Sequence, residues 1–363
     1  MIKSQKRLFW GKKYKNLPNL DLIALQKESY HWFLTEGIKQ GLEEISPIED
    51  YTGKRFSLVF GKHAFDSPRC NSKRAIEKRI TYDASLKVNC RLTNKKTSEV
   101  IEQEVFLGNI PQITETSTFI ISGVERAVVN QLIRSPGVFF SGVIDPITGR
   151  MLYKAELRPL YGSWIEFSVD RYNVIWARIN RRRKFPVTTL LRGIDPSSDK
   201  EIIDVFASVD GDKKSQFIAT TIEKDPTKTK EEALLELYQK IRPGGPAILT
   251  NAKELFHNTF FNPRRYNLGK VGRFKLNKKL GLGIENTRQN WVLTKEDVIQ
   301  TIAYLINLQN GKGGRVDNID HLSNRRVRCV GELVYQTAFR IGLLRLERSI
   351  RGKMSYVRGK EAI

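Results

Sequence analysis

The stretch from Ile319 to Leu333 carries side chains that could bind a metal, transfer a proton or contact a nucleic acid. Asp320 and His321 are adjacent, and Cys329 follows after a dense group of arginines. A structural zinc site uses about four Cys or His ligands at short, characteristic spacings. Neither His321 nor Cys329 has a further ligand at such a spacing, so the stretch predicts no metal site. Its arginines indicate contact with phosphate or with a neighbouring chain.

The other histidines, cysteines and glycine-rich turns do not form a catalytic centre either. None of the four histidines has a second histidine four residues away, and the three cysteines form no CxxC pair. The glycine-rich segments lack the GxxxxGKS/T spacing that binds phosphate, and no GxSxG nucleophile motif is present. We therefore predict no catalytic residue and no metal ligand on this chain, and a self-contained enzyme is the disfavoured class.

The segment VDGD, at 209–212, is an acidic motif that could be compared with a Mg²⁺ site. Such sites need two or three carboxylates that converge on the ion. Asp210 and Asp212 are followed by two lysines, and they stand between a short apolar segment and an expected strand. Because Asp-Gly steps favour turns, we predict a turn here.

Arginines and lysines carry the stronger signal, because they form dense clusters inside segments that look folded. The clusters occupy 178–184, 262–279, 321–328 and 345–353. Guanidinium groups bind phosphate through paired hydrogen bonds, and Tyr266 and Phe274 in the second cluster could stack on bases. A solvated face or an interchain salt bridge is the alternative for any one cluster. Four clusters together favour a nucleic-acid contact.

The charge balance supports the same partner class. The 363 residues include 62 Lys and Arg against 39 Asp and Glu, which gives a net charge of +23. Such an excess predicts a polyanionic partner, with nucleic acid first and an acidic protein or a membrane surface second. No run of 18 apolar residues is present, so no membrane span is expected. The basic segment 1–16 fits a basic arm or, less well, a transit peptide.

The hydropathy pattern predicts an α+β chain, long enough for about two domains. Helical spacing covers 18–41, 228–242, 294–310 and 330–351, whereas alternating apolar residues predict a hairpin at 86–108 and further strands in 150–186. Thr294 and Asp297 resemble a capping box, with Leu293 and Val298 placed as a hydrophobic staple. Cys90 falls on the apolar face of its strand, which predicts a buried structural thiol in a reducing compartment.

Four segments resemble the β subunit of multisubunit, bacterial or plastid-type DNA-directed RNA polymerase, and they occur in the order of that family. They are TFIISGVERAVVNQLIRSPGVFF at 118–140, GSWIEFSVDRYNVIWARINRRRKFPVTTLLR at 162–192, FFNPRRYNLGKVGRFKLNKKLGL at 260–282 and VDNIDHLSNRRVRCVGELVYQTAFRIGLLRLER at 316–348. With the opening helix, the resemblance covers nearly the whole chain. It implies two mixed α+β domains, a discontinuous protrusion at 1–138 and 311–363 and a lobe at 139–310.

The resemblance also implies roles for individual residues. Those expected to contact DNA, near the non-template strand, are Arg134, Arg265, Asn267, Arg273, Arg181 and Arg182. Those expected in the wall around the growing RNA and the rifamycin pocket are Arg126, Val129 and Gln131. Those expected at a junction with neighbouring chain or nucleic acid are Arg325, Arg326 and Arg328.

Several positions depart from the family pattern. Asn267 stands where the family usually has Asp, and an amide both donates and accepts hydrogen bonds, so the base preference of the family is not carried over to this position. Ile133, Leu160, Tyr161 and Ser323 also differ from the family pattern.

The resemblance implies a large assembly as well. The expected partners are the remaining β segment, β′-type subunits, an α dimer, a σ factor, DNA and nascent RNA, with the catalytic Asp residues and Mg²⁺ on another subunit. The chain matches only the N-terminal third of the family's β subunit, which predicts a naturally split plastid subunit of a green alga, or else a truncated form. A plastid is the expected location, with the bacterial cytoplasm second. A stand-alone basic nucleic-acid-binding protein is the alternative function.

Overall fold

The structure, a computed structural model, describes residues 21–195, 198–211, 216–245 and 247–356. These residues form two units. The first unit comprises 21–131 together with 327–356, and the second unit comprises 132–326.

The strands of the described residues follow one another as β1 (Ile48–Glu49), β2 (Phe56–Phe65), β3 (Asp83–Asn94), β4 (Val100–Pro111), β5 (Phe119–Ile121), β6 (Val124–Arg126), β7 (Gln131–Arg134), β8 (Gly137–Ile144), β9 (Met151–Arg158), β10 (Ile165–Val169), β11 (Ile175–Ile179), β12 (Phe185–Pro186) and β13 (Arg325–Arg328).

The α-helices of the described residues are α1 (Ala24–Trp32), α2 (Ile38–Ile45), α3 (Ser72–Glu77), α4 (Val187–Ile194), α5 (Asp199–Phe206), α6 (Phe217–Lys224), α7 (Lys230–Ile241), α8 (Leu249–Phe260), α9 (Gly269–Leu280), α10 (Lys295–Gln309), α11 (Val330–Val334) and α12 (Arg340–Tyr356). Phe33–Gly37 and Tyr335–Phe339 are π-helical turns that join α1 to α2 and α11 to α12. Arg288–Trp291 and Leu322–Asn324 are short 3₁₀ helices.

The first unit is an antiparallel sheet in the order β1-β2-β3-β4, packed on one side against helices. Its core contains Tyr30 and Phe33 from the opening helix, Val88 from β3 and Leu343 from α12. Gly41 on α2 allows a close approach, because a Cβ there would lie 2.8 Å from Cδ1 of Leu343. The two ends of this unit are therefore packed together although they are far apart in the sequence.

The predicted hairpin and helices of this unit are present. β3 and β4 pair from Asp83↔Pro111 to Thr93↔Val100, which confirms the hairpin. The helix predicted over 18–41 begins at Ala24 within the described residues, and its first predicted residues, 18–20, lie outside them. The helix continues through its π-helical turn to Ile45, because Gly41 packs against α12 and does not end it.

The second unit is built on an antiparallel sheet in the order β12-β11-β10-β9-β8. Alternate residues of β9, such as Ala155 and Leu157, are buried beneath the helices together with Phe167 of β10 and Ala177 of β11. The strands predicted within 150–186 are therefore confirmed, and the chain as a whole is α+β, as predicted from its hydropathy pattern. The other face of this sheet is polar.

Local capping signals set the starts of three helices in the second unit. Thr294 Oγ1 accepts a hydrogen bond from Asp297 N at 3.3 Å, and Asp297 Oδ2 accepts one from Thr294 N at 2.8 Å. This reciprocal pair confirms the predicted capping box of α10. Equivalent pairs, Ser198 with Glu201 and Thr229 with Glu232, begin α5 and α7.

One local prediction in the second unit is wrong. The segment after VDGD was expected to be a strand, but it forms α6. Asp210 explains the difference, because its carboxylate accepts hydrogen bonds from the backbone amides of Phe217 at 3.0 Å and Ile218 at 2.8 Å, which are at the start of that helix. A carboxylate that accepts the first amides of a helix stabilises its N-terminus.

The unit boundaries differ from those predicted for the two domains. The sequence reading placed them after 138 and after 310, whereas the chain leaves the first unit after Gln131 and returns to it at Val327. Val138–Phe140 and Asp317 belong to the second unit, where Phe140 N donates to Asp317 Oδ2 at 2.8 Å. Assigning the units to a protrusion and a lobe stays a prediction.

Candidate nucleic-acid interface

The polar face of the five-stranded sheet in the second unit collects charged side chains. Lys154, Glu156 and Arg158 alternate with the buried residues of β9 and therefore share the opposite face. The strand register places Glu166 beside Glu156, and Arg178 beside Glu166. This face thus carries both signs of charge, with the cations in excess.

Glu156 is the anionic centre of this face. Its side chain is only 10% exposed, and it forms ion pairs with Arg134, with Arg158 at 3.1 Å and with Lys154 at 3.6 Å. Burial and the neighbouring Arg134 lower the pKa of Arg158, whereas Glu156 acts against that shift. One carboxylate therefore organises three cations, which leaves a local positive charge and fixed guanidinium groups for an anionic ligand.

Trp164 extends the cluster with an aromatic surface. The guanidinium carbon of Arg158 lies 3.8 Å from the centroid of the Trp164 ring, and that of Arg181 lies 5.0 Å from it. Both distances are in the range of cation–π attraction. Trp164 is not among the residues predicted for the site. Sites for single-stranded nucleic acid typically combine cations with aromatic residues, and this combination could have indicated Trp164. Only the fold, however, brings Trp164, Arg158 and Arg181 together.

A second loop lies against the first. Tyr161 and Asn267 form an antiparallel bridge, in which Asn267 N donates to Tyr161 O at 2.9 Å. Gly162 has φ +121°, and a Cβ there would lie 2.9 Å from the carbonyl oxygen of Arg265. The loop of Trp164 and the loop of the exposed Arg265 are therefore in contact, and the structure brings Arg134, Arg181 and Arg265 to one region of the second unit.

Asn267 has a structural task in this loop. Its Oδ1 accepts from Gly269 N at 2.6 Å, at the start of α9, and its Nδ2 donates to the Tyr161 hydroxyl at 3.1 Å. Both ends of the amide are engaged within the protein, so reading a base edge through this side chain requires one of these bonds to break. Its predicted base contact stays a prediction.

Arg273 requires a correction. Its side chain is fully buried and donates to Asp297 Oδ1 at 2.6 Å, to the Asn290 carbonyl at 2.7 Å and to the Val292 carbonyl at 2.6 Å. A guanidinium enclosed in this way does not reach a phosphate, so the structure contradicts a direct DNA contact by Arg273. Gly269, Gly272 and Leu276 share the buried face of α9 with Arg273, but the apolar periodicity of this helix is weak, so the sequence did not identify Arg273 as a buried residue.

Arg181 and Arg182 are neighbours with different surroundings. Arg181 is 72% exposed on its side chain and lies 3.9 Å from Glu166 and close to Trp164. Arg182 is exposed too, but it lines a separate cleft with Arg183. Only Arg181 of this pair belongs to the cluster around Trp164.

The three residues predicted for the RNA and rifamycin wall are in the first unit. Arg126 and Gln131 are exposed, and Val129 is 80% exposed. Val128 between them is half-buried, and its carbonyl accepts a hydrogen bond from Gln26 Nε2 at 2.8 Å. The hydrogen bond to Val128 holds this segment in place, whereas Arg126, Val129 and Gln131 face solvent. Their role in the wall around the growing RNA stays a prediction.

The junction arginines make local ion pairs. Arg325 pairs with Asp320 in the second unit. In the first unit, Arg328 Nε lies 3.5 Å from Glu332 Oε1, and its Nη2 donates to Gln336 at 3.1 Å. Arg326 is half-buried. In the stretch 319–333, Asp320 therefore forms an ion pair with Arg325.

The other side chains of that stretch are not arranged around a metal. His321 Nδ1 lies 2.6 Å from the Ser323 hydroxyl. Across the described ranges, no group of three or more His, Cys, Asp or Glu residues is placed to hold a metal ion. Asp212 of VDGD lies outside those ranges, whereas Asp210 caps a helix. Cys90 is half-buried, and burial raises the pKa of its thiol.

Among the described residues, no helix has the length and apolar character that crossing a membrane requires.

Comparison with known proteins gives a consistent result. Residues 134–328 match the family model described as RNA polymerase Rpb2, domain 2. The chain is 45% identical over 344 residues to the DNA-directed RNA polymerase subunit beta of Dehalococcoides mccartyi, which covers 94% of this chain and 27% of that protein. It is 45% identical over 339 residues to the corresponding subunit of Syntrophomonas wolfei (93% and 29% covered) and 44% identical over 337 residues to that of Synechococcus elongatus (92% and 30% covered). The chain thus spans less than a third of the length of these relatives.

Proposed function

The chain belongs to the β-subunit family of DNA-directed RNA polymerases, and we propose that it forms one jaw of the DNA cleft in such an enzyme. The observation that carries this proposal is the polar face of the second unit, where Arg134 and Arg158 pair with the buried carboxylate of Glu156. Arg158 and Arg181 also lie over the ring of Trp164. This arrangement suits contact with a sugar-phosphate backbone and an unstacked base.

In the proposed mechanism, the chain holds melted DNA by electrostatic attraction and performs no bond-making step. The guanidinium of Arg134, oriented by Glu156, contacts the non-template strand near the start of transcription. Arg181 and Arg265 extend the contact along the strand, and both are exposed. Such contacts weaken with salt, by roughly 0.7 log unit per log unit of salt for each phosphate neutralised on a single strand.

The rest of the proposal concerns residues and partners implied by the family. Arg126, Val129 and Gln131 would line the wall around the growing RNA, and Arg325, Arg326 and Arg328 would contact neighbouring chain or nucleic acid. The remaining β segment, β′-type subunits, an α dimer and a σ factor would complete the enzyme, with Mg²⁺ held by another subunit.

We also propose that the protein comes from a plastid. The resemblance to bacterial and plastid-type β subunits motivates this proposal, and the similar identities to the Dehalococcoides mccartyi and Synechococcus elongatus subunits, 45% and 44%, do not favour one of these origins over the other. Mass spectrometry of isolated plastids should recover its peptides together with those of the other polymerase subunits. Absence of its peptides from plastids would contradict the origin. Recovery of the chain in a monomeric fraction, without polymerase subunits, would contradict the assembly and favour a stand-alone nucleic-acid-binding protein.

The direct test is Arg134→Ala in the assembled enzyme. We expect faster loss of the promoter open complex and little change in nucleotide addition on a preformed scaffold, because Arg134 is proposed to contact DNA and not the reacting atoms. Lys253→Ala, an exposed residue on α8, provides the matched control for loss of one positive charge. The reverse pattern, slow nucleotide addition with a normal open complex, would place Arg134 in the active centre.

A further inference from the structure

A basic cleft of about 730 Å³ lies in the second unit, apart from the cluster around Trp164. It is lined by Arg182, Arg183, Gln239, Lys240, Pro243, Gly244 and Gly245. One wall comes from the turn between β11 and β12, and the other comes from the end of α7 and the residues that follow it. Its volume is in the range of sites that hold a small ligand or a short segment of a longer one.

The turn between β11 and β12 distributes four consecutive cations in different directions. Asn180 and Arg181 have positive φ values of 49° and 59°, and Arg182 N donates to the Ile179 carbonyl at 3.0 Å. Arg181 lies over Trp164, and Lys184 Nζ lies 4.3 Å from the centroid of the Trp176 ring. Arg182 and Arg183, between them, line the cleft.

The opposite wall adds a third cation and an open backbone. Lys240 lies on the last turn of α7, where Glu236 is 3.0 Å away. The cleft therefore has three cationic side chains, Arg182, Arg183 and Lys240, and the carboxylate of Glu236 beside Lys240 offsets one of them. Gly244 has φ +86°, and a Cβ there would meet no atom within 4 Å, so the backbone is open to close approach by a ligand.

We propose that this cleft binds the phosphodiester backbone of a single-stranded nucleic acid. Paired guanidinium groups favour phosphate, and backbone amides at a glycine turn add donors. The site rests on the nucleic-acid contact proposed above, and it adds a second contact region to it.

The adjacency of Arg181 and Arg182 in the turn favours a nucleic-acid strand, and not a free anion, as the ligand of the cleft. Arg181, which faces Trp164, is the immediate neighbour of Arg182, which faces the cleft. A strand that stacks a base near Trp164 can therefore pass its next phosphates to Arg182 and Arg183. Gln239 offers a neutral polar side chain on the far wall, suited to a sugar or base edge.

The test uses the full chain and a fluorescent 20-nucleotide oligo(dT), with binding followed by anisotropy across a salt series. The variant is Arg182→Gln/Arg183→Gln, and the control is Lys200→Gln/Lys224→Gln, two exposed lysines on α5 and α6. We expect the arginine variant to bind about tenfold more weakly at low salt and to lower the salt slope by about 1.4, since two phosphate contacts are lost at roughly 0.7 each. The lysine variant should differ from the wild type by less than threefold.

The outcomes separate this site from the proposed function. Tight binding by the wild type, with equal affinities for the arginine and lysine variants, overturns the cleft and leaves the Trp164 cluster in place. No binding of oligo(dT) by the wild type overturns both. Equal losses with a 20-base-pair duplex overturn the single-strand preference. Thermal unfolding of each variant, expected to match the wild type because the substituted side chains are exposed, excludes misfolding as the cause.

Discussion

Arg273 on α9 and Asp297 on α10 form an ion pair of 2.6 Å in which both side chains are fully buried. The guanidinium also donates to the carbonyls of Asn290 and Val292, and the carboxylate caps the start of α10. This pair joins two helices and the turn between them. The loop that carries Arg265 leads directly into α9, so a buried arginine helps to position an exposed one.

Arg273→Met should therefore destabilise the protein strongly. Removing one partner of a buried ion pair leaves an uncompensated charge, which costs about 3–5 kcal/mol in unfolding free energy. Arg273→Met/Asp297→Asn should recover part of this loss, because no lone charge remains buried. Lys270→Met, at an exposed position of the same helix, should change stability by less than about 0.5 kcal/mol. Urea denaturation measures all three, and a small effect of Arg273→Met would show that the pair contributes little.

Tyr266→Phe should be neutral or stabilising. The Tyr266 side chain is fully buried, its hydroxyl has no hydrogen-bond partner among the described residues, and burial raises its pKa well above the usual value. A buried hydroxyl without a partner is costly, so its removal should raise the unfolding free energy by up to about 1 kcal/mol. Thermal and urea unfolding test this expectation. A loss of more than 1 kcal/mol would reveal a partner for the hydroxyl, such as an ordered water.

Gly162→Ala should disturb the contact between the Trp164 and Arg265 loops. Its φ of +121° is strained for any residue with a Cβ, and the added atom would lie 2.9 Å from the Arg265 carbonyl oxygen and 3.0 Å from Tyr266 Cα. Gly149→Ala is the matched control, because its φ is also positive, at +64°, but no atom lies within 4 Å. We expect a loss of roughly 1 kcal/mol for the control and at least 2 kcal/mol for Gly162→Ala. Oligonucleotide affinity should fall only for Gly162→Ala, and equal effects would contradict this role of the loop contact.

Asp50 in the first unit should make stability depend on pH in the acid range. Burial favours its neutral form, but hydrogen bonds from Thr52, Arg55 and Phe56 together hold the pKa of this carboxyl well below its usual value. A lowered pKa contributes stability that is complete above the unfolded pKa, about 3.9, and is lost as the pH falls through the folded pKa. The stability difference between the wild type and Asp50→Asn should be constant from pH 7 to 5 and shrink below about pH 4. A difference that stays constant down to pH 3 would contradict it.

The sequence predicted the periodic parts of this fold well. The β3–β4 hairpin, the strands of the second unit and the capping box of α10 all follow from short-range patterns. Alternation, turn residues and caps act within a few residues of each other, so they can be recognised without knowledge of distant contacts. The segment after VDGD was missed because its helix is capped by Asp210, which lies seven residues before Phe217 in the sequence.

The candidate site was predicted less completely, and Arg273 and Trp164 show why. Composition and the arginine clusters indicate a nucleic-acid partner, and the resemblance to the β subunit of RNA polymerase adds the family. Neither distinguishes Arg273, enclosed by Asp297, from the exposed Arg265 eight residues earlier. Trp164 belongs to the site because the strand register and the turns place Arg158 and Arg181 beside its ring, which the sequence alone does not show.

The sequence by itself thus determined the charge, the α+β pattern and the family. The tertiary structure decided which cations are available to a ligand. The physical reason is that charge and periodicity are properties of the chain, whereas the burial of a guanidinium depends on packing between α9 and α10 and on the pairing of distant strands.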